Sequence, residues 1–158
     1  MTRPGCRETI VAAATALVDR RHAVTLRAVS REAGLPTSSI YPHFPDPPAI
    51  LLAVCHESFR ELETAVLGAA DACSAGLAYL DFAVAHPHRY RVMFGAADLS
   101  GPALRLFTRV LADPRRTEPA ADALVLWLGL HGLADQRATT RRSPRFAVLA
   151  PRLITSLV

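Results

Sequence analysis

Residues 37–43 read Thr-Ser-Ser-Ile-Tyr-Pro-His. They offer three hydroxyls, a phenol and an imidazole, each able to meet a phosphate oxygen or a base edge. This is recognition chemistry rather than bond-making chemistry. Ile40 and Phe44 are four apart and turn inward, which leaves Thr37, Ser38, Ser39, Tyr41 and His43 as the outer face of one short helix over about Pro36–His43. No apolar partner explains that face. Pro42 removes a backbone N–H inside the same stretch, which in a long helix costs ~3 kcal/mol.

The preceding residues have the composition needed to hold such a helix in place. Thr25 can cap a short helix through its hydroxyl, Ala28, Val29 and Ala33 give it an apolar side, and Gly34 ends it in the left-handed conformation. Helix, glycine turn, helix is the helix-turn-helix arrangement, in which the second helix offers its amino-terminal residues to the major groove. A plain three-helix bundle would use some of these hydroxyls merely as caps. The combination with an exposed hydroxyl-aromatic face favours DNA.

The whole chain reads as all-α, with helical spacing throughout and no strand pattern. Ile10, Ala14, Leu17 and Val18 form one stripe of a first helix over about Cys6–Arg21. Asp46-Pro47 is a cap followed by a first-turn proline. It opens a long fourth helix carried by Ile50, Leu51, Val54, Cys55, Phe59, Leu62 and Val66 to about Leu67. Further helices are expected over about Cys73–Ala85, Pro87–Phe94, Ser100 (as cap) to Ala112, Pro119–Thr139, and from Ser143-Pro144 to the carboxyl end, about nine in all. The division by motif places a helix-turn-helix head at 1–46 and a helical ligand-binding and dimerisation body at 47–158, joined by the long helix.

Composition narrows the class. All 18 basic residues among the 158 are arginine, and the net charge is +4, which permits a nucleic-acid partner without demanding one. The three cysteines, Cys6, Cys55 and Cys73, show no CxxC spacing, so neither a disulfide framework nor a zinc ribbon is expected. Cys55 and Cys73 read as small core side chains. Cys55 and His56 are adjacent and diverge on a helix, so they cannot pair as nucleophile and base. No glycine-rich phosphate loop, Ser-His-Asp set or paired acidic site appears. The chain is therefore not read as an enzyme, and no cofactor is expected. His86 and His88 flank a proline without a regular ligand geometry, so no metal is expected either. The apolar run Ala123–Ala134 is too short to span a bilayer and the amino terminus lacks a signal-peptide core; a cytoplasmic protein with no membrane partner is expected.

TLRAVSREAGLPTSSIYPHFPD (25–46) resembles the signature of the TetR family of transcriptional repressors. The resemblance implies a homodimer with an amino-terminal DNA-binding head and a helical ligand-binding body. It would regulate transcription by releasing a palindromic double-stranded operator when a ligand binds. Thr25 and Tyr41 match phosphate-contacting positions, Thr37, Ser38 and Ser39 match groove-facing ones, and His43 matches a backbone or base contact. Arg27 and Pro36 complete the expected DNA-binding set. The family commonly has a lysine where Pro47 and Pro48 stand, which leaves Arg3, Arg7, Arg27 and Arg31 to supply phosphate charge. The alternative is a helical ligand- or protein-binding module that has lost sequence-specific DNA binding.

The body holds most of the bulky aromatics. Residues such as Tyr79, Phe82, Tyr90, Met93, Phe94, Phe107, Trp127 and His131 more often form core than pocket, but in a helical body they are also where a small apolar or aromatic ligand would bind. YLDFAVAHPHRYRVMFG and LWLGLHGLADQ resemble the carboxy-terminal domain of a TetR subgroup named for its Trp and His-Gly, with Trp127, His131 and Gly132 at the matching places. His131 shares a helix face with Trp127 and reads as a hydrogen-bonded core residue rather than a metal ligand. Asp81 either faces solvent or pairs with Arg89 or Arg91. The helix around Trp127 is apolar nearly all round, and the last helix has a similar excess. Leu124, Leu128, Phe146, Leu149 and Leu153 are the expected dimer contacts.

Overall fold

Capping chemistry decides where the helices begin. The Thr25 hydroxyl accepts from Ala28 N–H at 3.1 Å, Asp46 Oδ1 from Ala49 N–H at 2.8 Å, and Asp71 Oδ1 from Ser74 N–H at 2.7 Å. The last of these bonds holds the Asp71 carboxyl below its usual range. In a computed structural model that describes residues 5–113, 115, 117–139 and 146–157, the elements are α1 (Cys6–Asp19), α2 (Leu26–Ala33), a 3₁₀ turn (Thr37–Ser39), α3 (Pro47–Leu67), α4 (Ala72–Ala85), α5 (Pro87–Gly95), α6 (Ser100–Val110), α7 (Pro119–Thr139) and α8 (Phe146–Leu157). The described residues contain no strand. The Ser143-Pro144 start and Arg3 lie outside the described residues.

Three expectations are adjusted. The helix anticipated over Pro36–His43 is a 3₁₀ turn followed by turn residues. Its bonds run from Ser39 N–H to Pro36 O and from Ile40 N–H to Thr37 O, and Pro42 has no N–H to continue an α-helical ladder. The first helix ends at Asp19 because Arg21 adopts φ 60°, outside helical backbone. Ser100 is the first residue of α6 rather than its cap; Leu99 holds the cap position without a side-chain bond.

The chain divides into two compact units, Met1–Ser58 and Phe59–Val158, the boundary falling within α3. In the first, α1 packs on α2 and the 3₁₀ turn packs on α2. Its core holds Ile10, Ala14, Leu17, Val18, Val29, Ile40 and Phe44. In the second, α4 packs on α5, α7 and α8, and α7 packs on α6 and α8. Two glycines let α8 come close. A Cβ on Gly76 would stand 2.8 Å from Ile154 Cδ1, and one on Gly129 would stand 2.5 Å from Leu153 Cδ2. No helix of the described residues is long and apolar enough to cross a membrane.

Candidate nucleic-acid interface and aromatic site

In the first unit, α2 ends at Gly34, whose φ of 66° lets the Leu35 N–H return to Ser30 O at 3.1 Å. That reversal delivers the 3₁₀ turn. Ile40 and Phe44 are buried, and the Phe44 N–H donates to Ile40 O at 3.0 Å. Between them Tyr41 is 58% exposed, and Pro42 and His43 are exposed too. Thr25, Arg27, Pro36 and Ser38 are exposed, while Thr37 and Ser39 are half-buried.

Two contacts anchor the turn to α1. The Cys6 thiol donates to Ser39 O at 3.7 Å, and the Arg7 guanidinium lies 5.2 Å from the centroid of the Phe44 ring. Sequence reasoning assigned Arg7 to phosphate charge and did not foresee its place over Phe44.

In the second unit, most of the residues singled out for a pocket come together in one ring cluster drawn from α4, α5, α6 and α7. Tyr79, Phe82, Tyr90, Met93, Phe107 and Trp127 are buried, whereas Phe94 and His131 are half-buried. Tyr79 meets Tyr90 and Phe107 edge-on at 5.8 and 5.4 Å. His131 stacks against Trp127 at 5.3 Å and meets Phe94 at 4.9 Å. Phe82 lies apart from this network, against His86 at 5.0 Å.

A polar triangle sits inside the cluster. The Tyr79 and Tyr90 hydroxyls are 2.8 Å apart, and they lie 3.3 and 2.6 Å from His131 Nδ1. With the imidazole neutral and Nδ1 bare, Tyr90 donates to His131 and Tyr79 donates to Tyr90. Burial lowers the His131 pKa, and Asp135 one turn away only partly offsets this. Burial raises both phenols, and for Tyr90 the neighbouring Tyr79 adds to the rise. For Tyr79 the shift is drawn partly back by Tyr90 and by the Trp127 indole. That indole Nε1–H is buried and reaches no acceptor at hydrogen-bond geometry among the described residues. The site is therefore uncharged near neutral pH, with one buried donor unsatisfied.

The other candidates resolve simply. Cys55 is buried and its thiol is pushed up to about 11, while His56 is exposed, so the two do not form a nucleophilic pair. Asp81 is exposed. Arg89 binds Glu61 at 2.8 Å and His86 Nδ1 at 2.6 Å. No group of three potential metal ligands occurs among the described residues. Leu124, Leu128 and Leu149 are exposed and Val125 joins them, whereas Leu153 is half-buried over Gly129 of the same chain. The Phe146 side chain lies outside the described residues.

The family model of the tetracyclin-repressor-like carboxy-terminal domain matches residues 73–155, just over half of the chain and the span that contains the ring cluster. The chain belongs to the TetR family of transcriptional regulators. Solved structures share its fold. The multidrug binding protein EbrR, complexed with imidazole, is 20% identical, with 99% of this chain and 91% of that chain covered and a TM-score of 0.72. Reduced NemR of E. coli is 19% identical, with 97% of each chain covered and a TM-score of 0.70. A tetR-family regulatory protein from Rhodococcus RHA1 is 18% identical, with 96% of this chain and 98% of that one covered and a TM-score of 0.64. No curated protein matches the chain in sequence.

Within this TetR-family body, the feature that sequence reasoning missed is the Tyr79–Tyr90–His131 triangle. A signal for it existed: three polar atoms on otherwise apolar helix faces must find partners once buried.

Proposed function

We propose that this TetR-family protein is a homodimeric repressor whose residues 1–46 bind a palindromic operator and whose residues 47–158 bind a small ligand and the second subunit. The observation that carries the reading is the split at residues 40–44: Ile40 and Phe44 buried, Tyr41 and His43 between them outward. Thr25, Arg27, Pro36, Thr37, Ser38 and Ser39 share the DNA contact with Tyr41 and His43. In a dimer the two heads would occupy major grooves roughly 34–36 Å apart. Exposed Leu124, Leu128 and Leu149, with Phe146 and Leu153, form the dimer contact on α7 and α8.

The ligand site is the ring cluster of Tyr79, Tyr90, Met93, Phe94, Phe107, Trp127 and His131, together with Phe82, and Trp127, His131 and Gly132 mark the Trp…His-Gly subgroup. EbrR, which shares the fold, is a multidrug binding protein, and this supports a small-molecule effector here. Because the ligand binds one conformation of the dimer better, it lowers operator affinity.

The experiment is selection of duplexes from a random DNA pool with the purified chain. An enriched inverted repeat supports the reading. A pool that stays unenriched contradicts it and favours a helical binding module without sequence-specific DNA recognition. Trp127 is the sole tryptophan, so its fluorescence reports on the body site directly. A library compound that shifts this emission and weakens operator binding identifies an effector.

A further inference from the structure

Arg21 stands one step beyond the end of α1 in left-handed backbone, φ 60°. The conformation is locked by the return of Arg21 N–H to Val18 O at 2.9 Å and of His22 N–H to Leu17 O at 2.8 Å. Arginine is poorly suited to that backbone, which glycine adopts without steric cost. A strained residue is a reason to ask what its side chain does there.

Arg21 lines an open groove of about 740 Å³ between the end of α1 and the length of α2. Leu17, Ala23 and Ala28 give its apolar lining; Arg21, His22, Thr25, Arg31 and Glu32 give the polar one. The single carboxylate among them is already engaged, since Glu32 pairs with Arg20 at 2.6 Å. Arg21 and Arg31 are exposed and make no ion pair among the described residues. The Thr25 hydroxyl oxygen accepts the cap bond from Ala28, which leaves its own proton to donate. Two unneutralised guanidiniums and a hydroxyl donor lining one open groove are complementary to phosphate oxygens.

We infer that this groove seats the sugar–phosphate backbone of duplex DNA, with Arg21 adding a phosphate contact to those expected of Thr25 and Arg31. The inference rests on the DNA-binding reading above and adds a contact that reads no sequence. It also supplies phosphate charge in a head where prolines fill positions 47 and 48.

The test uses the full chain, the selected operator and a scrambled duplex, with affinity measured between 50 and 200 mM salt. Loss of one phosphate contact makes the slope of log K against log salt shallower by about 0.9, equivalent to about an eightfold loss at 0.1 M salt. Arg21→Gly should therefore weaken both duplexes about eightfold with the flatter slope. Relief of the left-handed backbone should meanwhile raise Tm by about 2 °C. Arg21→Asn, which also tolerates that backbone, should show the same binding loss, and Arg21→Lys should retain most of the affinity. Wild-type affinity and slope in Arg21→Gly and Arg21→Asn would overturn the groove contact alone. A wild-type chain that binds neither duplex would overturn the DNA-binding reading together with it.

Discussion

The Tyr90 hydroxyl lies 2.6 Å from His131 Nδ1, joining α5 to α7 across 41 positions of sequence. Both atoms belong to a largely buried cluster, where a polar atom left without its partner carries a desolvation penalty. Tyr90→Phe leaves His131 Nδ1 without its shortest contact. Unfolding in urea should show a loss of about 1–3 kcal/mol. A stability equal to wild type would mean that the triangle carries no weight.

The same cluster sets a pH window. His131 is lowered by burial, so the unfolded chain takes up its proton first. Stability from this group is complete above the unfolded value near 6.5 and declines as pH falls from there toward the lower folded value. Tyr79 and Tyr90 are raised by burial, so their contribution is complete below about 10 and declines above it. Tm plotted against pH should form a plateau between these limits, and His131→Gln should flatten its acid edge. An acid edge unchanged in His131→Gln assigns it to other groups.

The turn that delivers residues 37–43 depends on two local devices. Gly34 has open space where a Cβ would sit, so Gly34→Ala tests backbone conformation alone. It should cost about 1–2 kcal/mol, with Gly34→Asn milder. Thr25→Ala removes the α2 cap and should cost about 1 kcal/mol. Thermal unfolding measures both.

Gly129 is a notch for Leu153. Gly129→Ala pushes a methyl to within 2.5 Å of Leu153 Cδ2 and should destabilise by about 1–3 kcal/mol. Leu153→Ala in the same chain should recover part of that loss. A double variant that loses the sum of the two single changes would deny the contact.

Local punctuation was legible in the sequence. Thr25, Gly34, Asp46, Pro87 and Pro119 each mark a helix boundary through their own backbone and side-chain chemistry, and the structure keeps them there. The inward pair Ile40 and Phe44 was legible for the same reason, from a spacing of four. What was not legible depends on residues far apart. The hydroxyl–imidazole triangle, the glycine notches under α8 and the placement of Arg7 over Phe44 require the packing of several helices. The 3₁₀ turn is an intermediate case. Pro42 announced a break, but how soon regular helix gives way depends on which bonds the buried neighbours allow.

Operator recognition by this protein requires that the outward side chains of residues 37–43 read DNA. The direct measurement is affinity for the selected operator, against a scrambled duplex, in wild type and in Tyr41→Ala/His43→Ala. Both side chains are exposed, so Tm should stay within a few degrees of wild type. The preference for the operator should collapse in the variant. An operator preference that survives both substitutions would contradict the assignment of this face to DNA.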